Sequence, residues 1–110
     1  MKISKELLKG STSLMILKVI SEGDSYGYEI VGKIAKRSDA VFQLNEGTLY
    51  PILHTLEKEK MLTSYRKQSE TGRERKYYSI TSLGRLHLAE RLKEWQTFTE
   101  SVDGVLKGES

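Results

Sequence analysis

Asn45-Glu-Gly-Thr-Leu-Tyr-Pro-Ile-Leu-His-Thr-Leu-Glu-Lys-Glu-Lys60 is the stretch around which the rest of this chain can be arranged. Its apolar side chains recur at the spacing of one helix face, at Leu49, Ile52, Leu53 and Leu56. Asn45 suits the N-cap, because its side-chain oxygen can accept from the free amides of the first turn. The opposite face is small, polar and weakly charged near its start. We therefore predict a helix that presents this face to a partner.

Pro51 disagrees with a regular helix, because it has no amide hydrogen and its ring clashes with the carbonyl of Gly47. Two interpretations stay open: the helix bends at Pro51, or its regular part begins near Thr48. In both, backbone groups near Gly47 stay available to an outside partner. The contact candidates on this helix are Asn45, Thr48, Tyr50, Pro51 and His54.

The composition excludes several classes of protein. The 110 residues suffice for one domain, and a net charge of +3 means that any basic surface must be local. The absence of cysteine excludes disulfides and thiolate metal sites and fits a cytoplasmic protein. His54 and His87 lack metal-ligand spacing, so no metal is expected and His54 is interpreted as facing a groove or solvent. The longest apolar run, 14–17, is too short for a membrane span.

Two helices are predicted before the organising stretch. Residues 4–21 form the first, and its apolar side chains point in all directions, so one of its faces should need a second subunit. The second runs from Tyr26 to about Ser38, with Ser25 or Asp24 as its cap. Residues 41–44 are expected to be an extended link into the third helix.

A basic β-hairpin is predicted after the third helix, from strands at 62–68 and 75–80 and a turn in which Gly72 takes a positive φ. Three helices followed by a hairpin is the order of a winged helix, whose third helix enters the DNA major groove while the hairpin lies on the backbone. The alternative is that these charges only protect an edge strand. The hairpin cations are Arg66, Lys67, Arg73, Arg75 and Lys76.

A long final helix is predicted from the Thr81 cap to about Leu106. From Leu88 onward its seam positions are spaced 4, 3, 4, 3, 4 and are apolar except at Thr99, which is typical of a coiled coil and indicates a homodimer. The predicted fold class is therefore mainly α with a small β-hairpin, a winged helix-turn-helix (1–80) plus a dimerisation helix (81–110) in one compact unit. The predicted dimerisation residues are Leu14, Leu17, Leu88, Leu92, Trp95 and Val102.

Four motifs give the chain a family resemblance. Leu14-Met-Ile-Leu17, Ser25-Tyr-Gly-Tyr-Glu-Ile30, Glu46-Gly-Thr-Leu-Tyr-Pro51 and Arg75-Lys-Tyr-Tyr-Ser-Ile-Thr81 with Gly84 resemble the PadR family of bacterial transcriptional regulators. The resemblance implies a homodimeric winged-helix repressor, often auto-regulated, of stress, efflux or catabolic genes. Because such a dimer should be two-fold symmetric, the expected partner is an inverted-repeat operator in double-stranded DNA. By the resemblance, Thr48, Tyr50 and Pro51 fall on the recognition helix, and Gly72, Arg73, Arg75 and Lys76 on the wing.

Two departures qualify the resemblance. Lys60 stands where the family usually has glycine, which predicts a less tight turn after the recognition helix. The chain ends with one helix, so it is more similar to the short branch, which includes multidrug-responsive repressors with a tryptophan on that helix. Trp95 has two open interpretations: it packs the dimer, or it lines a site for a planar aromatic effector. The residues expected around such an effector are Leu7, Leu14, Trp95 and Phe98.

Three function classes compete. A DNA-binding repressor explains both the presented helix and the basic hairpin. A winged-helix module that only assembles proteins is the alternative, and salt dependence separates the two, because phosphate contacts weaken steeply with salt. An enzyme is not expected, since the sequence has no cysteine, no histidine pair, no phosphate-binding glycine loop and no acid/base pair. No cofactor is expected either.

Overall fold

A computed structural model describes residues 3–8 and 10–108 of the chain. The predicted fold class is confirmed: a winged helix-turn-helix with a small antiparallel sheet and a long C-terminal helix. The elements in chain order are α1 (Lys5–Leu8), α2 (Ser11–Ser21), β1 (Ser25–Tyr26), α3 (Gly27–Arg37), α4 (Glu46–Lys58), β2 (Leu62–Gln68), β3 (Glu74–Ile80) and α5 (Ser82–Lys107).

The prediction of a single first helix over residues 4–21 is wrong, because the helix is interrupted at Gly10. Gly10 has a φ of 86°, the left-handed region that glycine enters without a steric penalty, and α2 begins after it. The apolar run itself lies in α2, where Ile16, Leu17, Val19 and Ile20 are buried. Leu14 and Met15 are half-buried and pack against the same core, so α2 is largely covered by its own domain.

The start of α3 also differs from the prediction. Ser25 and Tyr26 form a third strand, β1, instead of a cap, and Tyr26 is the N-cap residue of α3. The side chain of Glu29 reaches back and accepts from the Tyr26 amide at 3.3 Å, which satisfies one of the free donors of the first turn. The core face of α3 consists of Gly27, Ile30 and Ile34, which are buried.

The sheet has the strand order β1-β3-β2, with both pairs antiparallel. The hairpin register pairs Tyr65 with Tyr77 and Lys67 with Arg75, so these four side chains share one face of the sheet. Tyr26 pairs with Tyr77 on that face, which is the outer one. The predicted positive φ of Gly72 is confirmed at 83°. The opposite face carries Leu62 and Tyr78, both buried, so it packs on the helices.

A compact joint connects the end of α4 to the start of α5. The Lys60 amide donates to the Glu57 carbonyl and the Met61 amide to the Leu56 carbonyl, a Schellman motif that closes α4. Lys60 therefore takes a φ of 65°, and the turn is tight although no glycine is present. The Thr81 hydroxyl accepts from the Gly84 amide at 3.0 Å and donates to the Lys60 carbonyl at 2.8 Å, which confirms Thr81 as the cap of α5.

One core holds α2, α3, α4 and the base of the hairpin together, and its most buried side chains include Ile16, Ile30, Leu49 and Leu53. The first turns of α5 reach this core through Leu88, while the later turns extend away from it. The molecule is accordingly elongated, 58 × 32 × 20 Å. Among the described helices, none combines the length and the apolar composition that crossing a bilayer requires.

Candidate nucleic-acid interface

The outer face of α4 is exposed, as the sequence predicts. The buried stripe consists of Leu49, Leu53 and Leu56, with Ile52 half-buried beside it. The side-chain oxygen of Asn45 accepts from the Thr48 amide at 3.0 Å, which confirms the N-cap. Because α4 already begins at Glu46, the alternative that its regular part starts near Thr48 is wrong, and Pro51 lies inside the helix. The exposed side chains of this face include Asn45, Thr48, Pro51 and His54.

Tyr50 lies between the exposed face of α4 and the start of α3. Its side chain is 45% exposed, so part of the ring is free for contact. The rest of it lies over the backbone of Gly27, where a Cβ atom would come within 2.7 Å of the Tyr50 hydroxyl. Tyr50 therefore fixes the two helices of the helix-turn-helix against each other. A change at Tyr50 that removes the ring also removes this packing.

The hairpin cations fall into two groups. Arg66 lies 3.5 Å from the Glu74 carboxylate, and Lys76 lies 3.7 Å from the carboxylate of Glu57 on α4, so both charges are partly neutralised within the chain. Lys67 instead lies over the Tyr77 ring, 5.8 Å from its centroid. Arg73 is exposed at the tip and has no salt-bridge partner among the described residues.

Arg75 differs from the other cations of the hairpin. Its guanidinium carbon lies 4.3 Å from the centroid of the Tyr26 ring, within the range of a cation–π contact. Its side chain is half-buried, and its Nε atom is buried without a hydrogen-bond partner in the described part of the chain. The two terminal nitrogens of the guanidinium are not buried in this way, and no hydrogen bond among the described residues uses them, so they stay available to an acceptor from outside the chain.

A cleft of about 680 Å³ lies between the start of α3, the start of α4 and the hairpin. The structure thereby brings two sequence-predicted sets together, since Asn45 and Tyr50 of α4 line the cleft with Arg73, Arg75 and Lys76 of the hairpin. Thr48, Pro51, His54 and Lys67 lie outside this lining, on the exposed surface. The arrangement is a concave, partly basic surface beside an exposed helix face.

Tyrosines hold the hairpin to the rest of the domain. The Tyr77 ring stacks on Tyr65 at 5.7 Å and meets Tyr26 edge-on at 5.3 Å. The Tyr65 hydroxyl donates to Asp24 at 2.6 Å, and this hydrogen bond raises the pKa of Tyr65 above its ordinary value. On the inner face, burial raises the pKa of Tyr78, although the nearby Lys76 acts in the opposite direction. Both phenols are therefore neutral at physiological pH, and that of Tyr65 is a hydrogen-bond donor.

Two residues that contribute to this surface, Glu57 and Tyr26, were not identified from the sequence. Glu57 joins α4 to both hairpin strands through the Ser64 hydroxyl and Lys76. Its signal was its position on the half-buried side of the helix, but its partners come from distant parts of the sequence. The Tyr26 ring packs against the Arg75 guanidinium, a contact between distant parts of the sequence.

A second, smaller pocket lies where α2 meets α5. Its volume is about 190 Å³, and its lining includes Leu14, Trp95 and Phe98 but not Leu7, which is 71% exposed. The Trp95 and Phe98 rings stack at 6.1 Å. Glu94 also lines it, but it lies 3.2 Å from Arg91, so its charge is already countered.

The predicted dimerisation residues separate by burial. Leu17 and Leu88 are covered by the chain's own core, whereas Leu92, Trp95 and Val102 stay 38–45% exposed. Phe98, Val105 and Leu106 are still more exposed on the same helix. A stripe of exposed apolar side chains thus runs along the outer half of α5, beside the half-buried Leu14 of α2, and Leu83 and Leu86 in the first turns are exposed as well.

Nowhere among the described residues do three histidine, aspartate or glutamate side chains gather in a way that could hold a metal ion.

Comparisons with known proteins agree on one family. The model of the "Transcriptional regulator PadR-like family" matches residues 16–90. An uncharacterized protein of Lysinibacillus sphaericus is 39% identical over 106 residues, which cover 96% of this chain and 97% of that protein. A PadR-like transcriptional regulator of Bacillus cereus is 36% identical, with a TM-score of 0.84 over 96% of this chain and 100% of that one. A transcriptional regulator of Clostridium thermocellum is 35% identical, with a TM-score of 0.83 over 92% and 95%.

Proposed function

The chain belongs to the PadR-like family of transcriptional regulators, and from that premise we propose that it is a homodimeric repressor that binds double-stranded DNA through α4 and the hairpin. Residues 1–80 would form the DNA-binding part and 81–110 the dimerisation helix. The observation that carries the proposal is the cleft in which the start of α4 and the basic hairpin meet. It would seat a duplex with α4 in the major groove and the hairpin on the backbone.

The roles of the DNA contacts follow from exposure and charge. Thr48 and His54 lie free on the outer face of α4, so they are candidates for contacts to base edges in the major groove. Asn45 and Pro51 lie on the same surface, where the small proline ring allows close approach. Lys67, Arg73, Arg75 and Lys76 would contact phosphates, which position the protein without reading the sequence.

Dimerisation is supported by the apolar surface left on α5. A stripe that includes Leu92, Trp95 and Val102 is exposed along a helix that reaches beyond its own core. Large exposed apolar patches on soluble proteins mark interaction sites. A two-fold dimer would place two α4 helices on one side of DNA, so the operator would be an inverted repeat with half-sites about 10 base pairs apart or a multiple of that.

The proposal is tested by anisotropy titrations with the duplex directly upstream of the protein's own gene and a scrambled duplex of equal composition. Auto-regulation predicts that the upstream duplex binds about 10³-fold more tightly than the scrambled one. Thr48→Ala should lower only the specific affinity. The second variant is Tyr50→Phe, which removes the hydroxyl but keeps the ring over Gly27 and so preserves the packing of α3 on α4.

Absence of binding by the wild-type protein to either duplex at low salt would contradict the proposed DNA binding. The alternative is then a protein-assembly module, whose complexes would be insensitive to salt because they rest on apolar packing of α5.

An effector site is a second candidate function, favoured by the aromatic pair beside the α2–α5 pocket. The pocket of about 190 Å³ is smaller than sites for drug-sized ligands, which are roughly 300–1,000 Å³, so the second subunit would have to complete it. A planar aromatic compound between the two Trp95 rings would relieve repression only if it prefers one dimer geometry. Because Trp95 is the only tryptophan, quenching by planar dyes in wild type but not in a Leu14→Glu variant would support the site.

A further inference from the structure

Some charged side chains that line the cleft between α3, α4 and the hairpin are paired within the chain, and others are free to bind a partner. Two of its lining cations, Arg73 and Arg75, have no salt-bridge partner among the described residues, while Lys76 is held by Glu57. One lining acid, Glu74, is occupied by Arg66. The free charge on the walls therefore comes mainly from two arginines, against the exposed carboxylate of Glu46.

Arg75 is held in place before any partner arrives. Its guanidinium lies against the Tyr26 ring, and Tyr26 is fixed by its strand pairing with Tyr77. A stacked guanidinium is planar and loses little further freedom on binding, which a flexible lysine cannot match. The buried, unpartnered Nε belongs to this fixed group. Arg75 is thus a pre-oriented donor that has no acceptor among the described residues.

Tyr28 supplies a second donor to the same cleft. It lies on the first turn of α3, lines the cleft and is 80% exposed, which is unusual for so large an aromatic side chain. None of the hydrogen bonds of the described residues uses its hydroxyl, and no described aromatic ring packs on it. Nothing in the fold of the described residues requires a phenol at this position.

We infer that the cleft is the seat of one DNA backbone phosphate, bound by the fixed guanidinium of Arg75 and the hydroxyl of Tyr28. A phosphate fits because its oxygens can accept hydrogen bonds from the parallel N–H groups of a guanidinium. Its negative charge also supplies the counter-charge that the unpaired Arg75 lacks. The inference rests on the proposed DNA binding and makes it specific. Arg75 binds here through the planar arrangement of its N–H donors. Lys76 contributes less to binding because its charge is paired with Glu57.

The test is the same charge-preserving exchange at two arginines of the hairpin. Arg75→Lys keeps the charge but loses the planar, stacked donor, whereas Arg66→Lys makes the same exchange at an arginine that is already paired with Glu74. Binding to a mixed-sequence duplex is measured by anisotropy, so no operator is needed. We expect Arg75→Lys to bind about tenfold more weakly and Arg66→Lys to stay within about twofold of wild type. Equal binding by wild type and Arg75→Lys would overturn the inference.

Tyr28→Phe gives an independent arm, because an exposed side chain can lose its hydroxyl without disturbing the core. We expect it to bind DNA at least about fivefold more weakly, with an unchanged unfolding temperature. Unchanged binding would remove Tyr28 from the seat and contradict the inference in its stated form. Failure of the wild-type protein to bind any duplex would instead overturn the proposed function, so the two failures are distinguishable.

Discussion

The amine of Lys76 lies 3.7 Å from the Glu57 carboxylate, and this contact joins the hairpin to α4. The other oxygen of the same carboxylate accepts from the Ser64 hydroxyl, so Glu57 contacts both hairpin strands. Lys76 also lies 5.5 Å from the centroid of the Tyr78 ring. The contact fixes the hairpin relative to α4, and it also reduces the charge that Lys76 can offer to a phosphate.

Glu57→Gln should strengthen non-specific DNA binding. The amide can still accept from Ser64, but it no longer neutralises Lys76, so one more cation is free. We expect the salt dependence, the slope of log K against log salt, to steepen by up to about 0.9. Glu59→Gln is the matched control, since it removes the same charge from an exposed carboxylate just beyond the helix. Equal steepening in both variants would mean that only net charge matters.

Gly84→Ala should destabilise the protein severely. A Cβ at Gly84 would meet the Met61 carbonyl and come within 2.7 Å of Ile80 Cγ1, so the α4–α5 joint would have to open. We expect a loss of about 3 kcal/mol in the free energy of unfolding, measured by urea denaturation. Gly104→Ala on the same helix meets no atom and should stabilise by about 0.5–1 kcal/mol. A stable Gly84→Ala variant would contradict the close approach.

Lys60→Gly should stabilise the protein by about 1 kcal/mol, because Lys60 occupies a left-handed conformation that costs a side-chain-bearing residue energy. Urea denaturation at fixed protein concentration measures the gain. Lys58→Gly, within the last turn of α4, should have the opposite sign and cost up to about 1 kcal/mol. If both substitutions lower the free energy of unfolding, the backbone conformation of Lys60 in the Schellman motif is not strained.

Leu92→Glu combined with Val102→Glu should give a monomer in sedimentation experiments. Both side chains belong to the apolar stripe of α5, and burying two carboxylates against a partner would be prohibitive. Their partial exposure in the single chain predicts that the monomer stays folded. Thr97→Glu with Ser101→Glu adds the same charges to the other side of the helix and should leave the dimer intact. A dimer that survives the first pair would place the interface elsewhere.

Local patterns predicted the parts of the fold that depend on near neighbours. The stripe from Leu49 to Leu56 and the caps at Asn45 and Thr81 each lie within one helix, so the sequence contains all of their partners. The hairpin was predictable for the same reason, because its strands are joined by a short turn around Gly72.

Long-range contacts could not be predicted in this way. Strand β1 has two residues and exists only because Tyr77 and Tyr78, about fifty positions later, offer a free edge. The stacking of Arg75 on Tyr26 depends on that pairing, so the cleft could not be foreseen from spacing. The break at Gly10 was missed because the apolar residues on both sides suggested one continuous helix.

The joint at Lys60, Met61, Thr81 and Gly84 attaches the long helix α5 to the end of α4. Its 26 residues span about 39 Å at 1.5 Å per residue, and only its first turns are held in the core. A sideways displacement of about 3 Å at the far end would correspond to a rotation of about 4° at the joint. Because Gly84 leaves no space against the Met61 carbonyl, we expect such a rotation to shift the segment that follows α4.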